Sequence, residues 1–317
     1  MEFRTLGHSG LQVSPLAFGC NVFGWTVDED TSHRLLDAWL DLGMNFIDTA
    51  DMYSTWVPGH SGGESEAIIG RWLAKGGRRN KVVLATKVGK PMGGDKVGLH
   101  PRYIRQAVDA SLTRLKTDYI DLYQSHDDDA NVPVEDVMGA FDDLVKAGKV
   151  RAVGASNYTA ARFRLALDTS EKLGVTRYET LQPLFNLHER ESYEKDLQPL
   201  CVERGVGVVN FYALASGFLT GKYRSEADAG KSVRGANIVK KYLDARGLKI
   251  LAALDAVSAR VGATQGQVAL AWQMVQPGIA APIASATTVA QLNELVQAAE
   301  LRLDAQALAE LDQASAY

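Results

Sequence analysis

Cysteine is scarce: Cys20 and Cys201 are the two in a chain of 317 residues. At this length two thiols make no disulfide framework, so the expected setting is reducing and cytoplasmic. A basic excess is also missing. Thirty-four Lys and Arg stand against 38 Asp and Glu, for a net charge of −4 and a pI near 5.9. No basic face therefore points to nucleic acid or anionic lipid as a partner. No apolar run approaches the roughly 18 residues that cross a bilayer, and Met1-Glu2-Phe3-Arg4-Thr5 is not a secretory leader. Internal linkers, low-complexity tracts and clear repeats are lacking too, so residues 1–317 are read as one domain. The glycine spacing of a dinucleotide fingerprint is absent: after the first strand the chain reads Phe18-Gly19-Cys20-Asn21-Val22-Phe23-Gly24. That argues against an open doubly wound sheet.

The remaining composition, 46% hydrophobic and 23% charged, is ordinary for a globular enzyme. Residues 3–6 and 11–13 flank His8-Ser9-Gly10 as a short hairpin. Strand-type runs follow at 16–20, 45–50, 82–88, 119–126, 150–156, 179–183, 206–212 and 279–284. Helical spacing separates them over about 28–43, 62–75, 101–115, 134–147, 159–173 and 190–204. Between the seventh and eighth strands lie a Gly/Lys/Ser-rich loop, 216–237, and helices over about 244–261 and 264–275. Helices over about 288–299 and 304–314 close the chain. Eight strands, each followed by a helix, require parallel crossovers, so the expected fold is an α/β (β/α)8 barrel with an N-terminal hairpin and extra C-terminal helices.

Three successive strands end on polar groups. Asn45-Phe46-Ile47-Asp48 closes on a carboxylate, Val82-Val83-Leu84-Ala85-Thr86-Lys87 on an ammonium, and Tyr119 to His126 on an imidazole. Alternation turns Phe46, Asp48 and Ala50 one way and Ile47 and Thr49 the other, which puts Asp48 at the inner tip of its strand. A buried carboxylate there needs a partner, and Lys87 is the candidate. Tyr53 follows five residues after Asp48. A phenol is a weak acid near neutrality, with a pKa of about 10; an adjacent ammonium favours its ionisation, and a histidine can orient a bound oxygen. Asp48, Tyr53, Lys87 and His126 together suit protonation of an oxygen that becomes negative as a carbonyl is reduced. A structural ion pair at the barrel end is the plainer reading of Asp48 and Lys87. His126 stands beside Asp127, Asp128 and Asp129, but no second histidine or calcium-loop glycine is spaced to complete a metal site, and none is expected.

Asp48-Thr49-Ala50 with Tyr53, Lys87 in Ala85-Thr86-Lys87, and His126 after Asp121-Leu122-Tyr123 resemble the tetrad of the aldo-keto reductase family. The resemblance runs from Leu6-Gly7 to the last helices. It implies that Tyr53 is the general acid, that Lys87 and Asp48 tune it, and that His126 positions the carbonyl. It also implies a nicotinamide cofactor, held at its carboxamide by Ser156, Asn157 and Gln182 and stacked on Tyr212. Ser216-Gly217-Phe218-Leu219-Thr220-Gly221-Lys222-Tyr223 resembles the loop that wraps the pyrophosphate. Gly19, Ala213, Leu214, Ser216, Gly217, Leu219, Gly221, Lys222, Ile283, Ser285, Thr287 and Gln291 complete the implied cofactor contacts. Two departures stand out. Alanine fills Tyr212-Ala213-Leu214-Ala215 where proline is common, and no arginine or lysine lies near Thr287 to meet a 2′-phosphate. Lys222 or Arg224 could supply that charge. NADP(H) is favoured by the resemblance, with NAD(H) as the alternative.

Trp25, Met52, Trp56 and Phe185 leave the same barrel face and form a candidate apolar vestibule for a small carbonyl or alcohol substrate. Cys20 reads as packing. The expected function is hydride transfer between a nicotinamide and an aldehyde, ketone or sugar. A redox-sensing, cofactor-binding regulatory subunit is the alternative. A lyase using Lys87 as a Schiff-base nucleophile ranks below both. Substrate, direction and oligomeric state are left open by the sequence.

Overall fold

A computed structural model describes residues 2–317, so the reading of the first residues falls in part on Met1, outside the described residues. A hairpin of β1 (Arg4–Thr5) and β2 (Gln12–Val13) precedes eight parallel strands. These are β3 (Ala17–Gly19), β4 (Phe46–Asp48), β5 (Val83–Val88), β6 (Ile120–Ser125), β7 (Val150–Ser156), β8 (Tyr178–Gln182), β9 (Gly207–Val208) and β10 (Ile283–Ala284). They pair in the order β10-β3-β4-β5-β6-β7-β8-β9. The circle closes through a bridge between Val208 and Ile279 and through the Ala280 N–H donating to the Val208 carbonyl at 2.8 Å. This is the expected (β/α)8 barrel.

Alternation along the strands sorts the core into two shells. Phe46, Val83, Ala85, Leu122, Ala152 and Val209 fill the barrel interior, with Leu6, Leu11 and Val13 of the hairpin plugging its lower end. Ile47, Leu84, Tyr123 and Val153 face outward, where they meet the helices. Each large apolar side chain buried in this way contributes about 1.5–3 kcal/mol.

The helices begin and stop for local reasons. Helix α1 (Glu29–Asp41) is capped by the Asp28 side chain, which accepts from the Thr31 N–H, and Gly43 turns the chain away with φ 77°. Helix α2 is Glu64–Leu73, and α3, Pro101–Leu115, starts with the proline in its first turn, where a missing N–H costs nothing. Helices α4 (Val134–Lys146) and α5 (Ala160–Leu173) follow the next two strands.

Four expected elements differ. The helix expected over 190–204 is two pieces, α6 (Glu191–Glu194) and α7 (Leu197–Glu203). Pro199 has no N–H for the Lys195 carbonyl, and its ring crowds that carbonyl, so one continuous helix cannot form. The strand expected over 206–212 pairs only at Gly207–Val208; beyond it Phe211 bridges to Leu184 and Tyr212 turns with φ 53°. The strand expected over 279–284 shrinks to Ile283–Ala284, just after Pro282, which has no N–H for the ladder. The 216–237 stretch is ordered: 3-10 segments Ala215–Thr220 and Glu226–Lys231 lead into α8 (Gly235–Tyr242). Helices α9 (Ala245–Val261), α10 (Gln265–Met274), α11 (Val289–Gln297) and α12 (Ala305–Ala314) complete the chain. Among the described residues no helix is long and apolar enough to cross a membrane.

Candidate active site

The inward-facing residues change from apolar to polar at the C-terminal ends of the strands. Lys87, wholly buried, donates from Nζ to Asp48 Oδ1 at 2.5 Å and to the Thr49 carbonyl at 2.8 Å. Its third contact is the Tyr53 hydroxyl, at 3.4 Å. The His126 ring lies edge-on to Tyr53, with centroids 6.0 Å apart. Carboxylate, ammonium, phenol and imidazole therefore share one small volume at the barrel mouth.

The second carboxylate oxygen of Asp48 is held separately. Gln182 Nε2 donates to Oδ2 at 3.1 Å and Gln124 Nε2 does so at 3.3 Å. Fixing Oδ2 leaves Oδ1 for the ammonium. Gln124 was not among the residues expected here, although alternation along β6 turns it inward two positions before His126. Room for it comes from Gly154 on the next strand. A Cβ there would sit 2.0 Å from Thr180 Oγ1 and 3.2 Å from Gln124 Cγ.

The electrostatics follow from burial and charge. Burial opposes the Lys87 ammonium, yet Asp48 and Tyr53 outweigh it and raise its pKa above the ordinary lysine value. Burial raises the Tyr53 phenol; Lys87 works against that shift and Asp48 adds to it. The phenol therefore keeps its proton at neutral pH. Burial, with Lys87 and Lys90, pushes His126 well below its ordinary value, so its imidazole is neutral. The carboxylates after His126 are committed elsewhere: Asp127 to Lys90, Asp128 to Arg162 at 2.7 Å, and Asp129 to the Leu99 N–H at 3.0 Å. Among the described residues no group of three or more His, Cys, Asp or Glu is placed to hold a metal ion.

Of the residues expected to contact a cofactor, Ser156, Asn157 and Gln182 adjoin this centre. Ser156 donates to the Gln182 carbonyl at 2.8 Å, and Asn157, at φ 58°, donates to the His126 carbonyl at 2.8 Å. Gln182 itself points its amide at Asp48 rather than outward. Tyr212 presents an exposed ring. The alanines after it are tied down, since Asn186 donates to the Tyr212 carbonyl at 3.0 Å and Gln273 to the Ala213 carbonyl at 2.8 Å. Leu214 accepts from the Gly217 and Leu219 N–H groups, and Gly221 ends the segment with φ 76°. Gly19 allows close packing, because a Cβ there would lie 2.7 Å from Ser285 Oγ and 2.8 Å from Ile283 Cγ2. Thr287 donates from both N and Oγ1 to Gln291 Oε1, at 2.9 and 3.0 Å. Arg224 is clamped to Asp255 by two bonds of 2.7 and 2.8 Å, whereas exposed Lys222 has no carboxylate partner among the described residues.

At the substrate end, Trp56 meets Trp25 at 5.6 Å and Tyr53 at 5.7 Å, both edge-to-face. Met52 is half-buried nearby in sequence. Phe185 does not belong to a vestibule. It is fully buried against Tyr193 and Trp272, at 4.8 and 5.5 Å. Cys20 is packed, its thiol pushed well up by burial.

Residues 15–316 match the Aldo/keto reductase family. Over 315 residues the chain is 37% identical to the uncharacterized oxidoreductase YrpG of Bacillus subtilis (strain 168), covering 97% of this chain and 94% of that protein. It is 32% identical to the versiconal hemiacetal acetate reductase of Aspergillus parasiticus, over 96% and 94% of the two chains. A probable voltage-gated potassium channel subunit beta of Arabidopsis thaliana is 31% identical, over 95% and 92%.

Proposed function

The chain belongs to the aldo/keto reductase family, and from that premise we propose that it is a cytoplasmic reductase of small aldehydes, ketones or sugars that depends on NAD(P)H. One observation carries the reading: a protonated phenol held 3.4 Å from a buried ammonium that is itself fixed by a carboxylate. Such a group can give its proton to an oxygen as negative charge develops there. Both cysteines are free, in keeping with a reducing compartment.

The residues around the mouth fit a nicotinamide dinucleotide. The exposed Tyr212 ring offers a stacking face, Ser156 and Asn157 offer hydroxyl and amide groups, Gln182, whose Nε2 is turned to Asp48, offers its side-chain carbonyl, and the 215–221 turns offer backbone N–H groups for a diphosphate. When bound, the reduced nicotinamide supplies the hydride. Tyr53 then donates the proton, and Lys87 and Asp48 hold its hydroxyl in place. His126, being neutral, can donate a ring N–H to the substrate oxygen without competing as an acid. Trp25, Met52 and Trp56 wall the substrate from water. The experiment is a side-by-side titration of NADPH and NADH, then a carbonyl panel followed at the nicotinamide absorbance; no turnover with any carbonyl would remove the reading.

Cofactor preference turns on Lys222. It lacks a carboxylate partner among the described residues, while Arg224 is spent on Asp255 and Thr287 on Gln291. NADP(H) is therefore the proposed cofactor. Lys222→Ala is expected to weaken NADPH binding by about tenfold, as loss of one exposed charge-assisted contact does, and NADH binding by less than about twofold. Equal losses for both cofactors would place the 2′-phosphate elsewhere.

Gln124 acts as a positioning residue in this scheme. With Gln124→Leu, Asp48 Oδ2 keeps only the Gln182 amide, and kcat is expected to fall about tenfold, matching one lost buried hydrogen bond. The carbonyl KM should change little, and Gln124→Glu, which adds repulsion, should be worse. An unchanged kcat in the leucine variant would show that one amide is enough.

A second reading, a cofactor-binding regulatory subunit, is supported by the likeness to the Arabidopsis channel subunit. The carbonyl panel separates the two. A Schiff-base role for Lys87 is disfavoured, since that chemistry needs a free amine and the pair with Asp48 holds it as an ammonium.

A further inference from the structure

A cavity of about 400 Å3 lies between α3 and the segment that follows β5, and none of Asp48, Tyr53, Lys87 or His126 lines it. Met92, Tyr103 and Ala107 give it an apolar wall, with exposed Lys96 and Arg102 on the solvent side. From the buried side it is lined by Asp51, which is 1% exposed. Neither Asp51 carboxyl oxygen has a hydrogen-bond partner among the described residues.

The sheltered guanidinium on that wall, Arg114, is already used. Its Nε donates to Glu66 Oε2 at 2.7 Å and its Nη2 to Ser111 at 3.2 Å. Two buried carboxyl groups thus share one guanidinium, so ionising both would leave the cluster one positive charge short. Burial, and then the Glu66 charge, push the Asp51 carboxyl well above its ordinary value. A buried carboxyl without a donor is costly, and an ammonium placed against it would meet both the missing charge and the missing hydrogen bonds. At the rim the balance is positive: exposed Lys96 and Arg102 stand against one carboxylate, Asp95, and neither cation is within ion-pair distance of a carboxylate among the described residues. A ligand that answers both ends carries an ammonium and an acid group on one small frame.

We propose that this cavity is a binding site for a free amino acid, with its ammonium on Asp51, its carboxylate at Lys96 and Arg102, and its side chain against Met92 and Tyr103. The Asp51 N–H donates to the Lys87 carbonyl at 3.2 Å, and Tyr53 stands two residues on. Occupancy therefore bears on the segment that carries the phenol, as expected of an effector. The site is independent of the reading of the barrel mouth as a reductase centre.

The test is ligand-observed NMR with the common L-amino acids at up to tens of millimolar, followed by calorimetry on those that bind. At least one is expected to bind with a millimolar Kd, and its N-acetyl derivative, which has no ammonium, should not. Asp51→Asn should weaken binding by about tenfold or more, the loss of one charge-assisted contact. The surface pair Lys96→Gln/Arg102→Gln should weaken it as well, and being exposed it tests the site even where Asp51→Asn fails to fold. Binding of no amino acid to the wild type, which would leave water as the partner of Asp51, overturns the proposal. So does binding that is unchanged in the variants or retained by the N-acetyl form.

Discussion

Replacing Tyr53 with phenylalanine is expected to lower carbonyl turnover by about 10²–10⁴-fold, the range ascribed to a positioned general acid. Nicotinamide affinity should stay within about twofold, because the ring and its packing on Trp56 survive while one hydroxyl is lost. Fluorescence titration of the cofactor and steady-state rates on one aldehyde measure both quantities. The pH profile adds an independent readout. The Tyr53 phenol is raised above its ordinary pKa of about 10, so reduction in the wild type should decline only as pH climbs beyond that value. His126 is pushed down and neutral throughout, so no limb is expected near the ordinary histidine value of about 6.5. Wild-type turnover in Tyr53→Phe would remove the phenol from the chemistry. A limb near neutrality would mean that His126, not Tyr53, holds the proton that matters.

Much of this site could be read before any coordinates because a barrel strand has a period of two. Phe46 and Asp48 face in and Ile47 faces out, as the alternation of that run requires. The same rule carries Lys87 and His126 to the mouth, and Gln124, two positions before His126, goes there with them. Other features depend on partners distant in sequence. Phe185 is apolar and lies in a loop, which suits a vestibule and a core equally; Tyr193 and Trp272 decide for the core. Helix α8 straddles the end of the 216–237 stretch, whose glycines, lysines and serines read as loop, and its helically spaced Ile238, Val239 and Tyr242 lie just past that stretch. The amide of Gln182 suits a cofactor or a carboxylate equally in the sequence, and its 3.1 Å bond to Asp48 Oδ2 is a contact between residues 134 apart in the chain. The break at 195–196 follows from the missing N–H of Pro199, a rule of backbone chemistry that the helical periodicity around it masks.

Lys87→Met should show whether the buried pair serves the fold, the chemistry, or both. Removing the ammonium leaves the Asp48 carboxyl, 2% exposed, without a cation and held only by two neutral amides. Breaking a buried pair from one side costs about 3–5 kcal/mol, and a loss of that size is expected in denaturant melts of the variant. Turnover should also fall by about 10²–10⁴-fold, because the Tyr53 hydroxyl loses the contact that fixes it. The double variant Asp48→Asn/Lys87→Met distinguishes the two effects. Asparagine keeps an acceptor for Gln124 and Gln182 but carries no charge, so most of the stability should return. Activity should not return, since no ammonium faces the phenol. Recovery of both would make the pair a structural clasp and leave Tyr53 to act with His126 alone. Recovery of neither would mean that the two amides need a full carboxylate, and that the barrel mouth is held open around Asp48 rather than around Lys87.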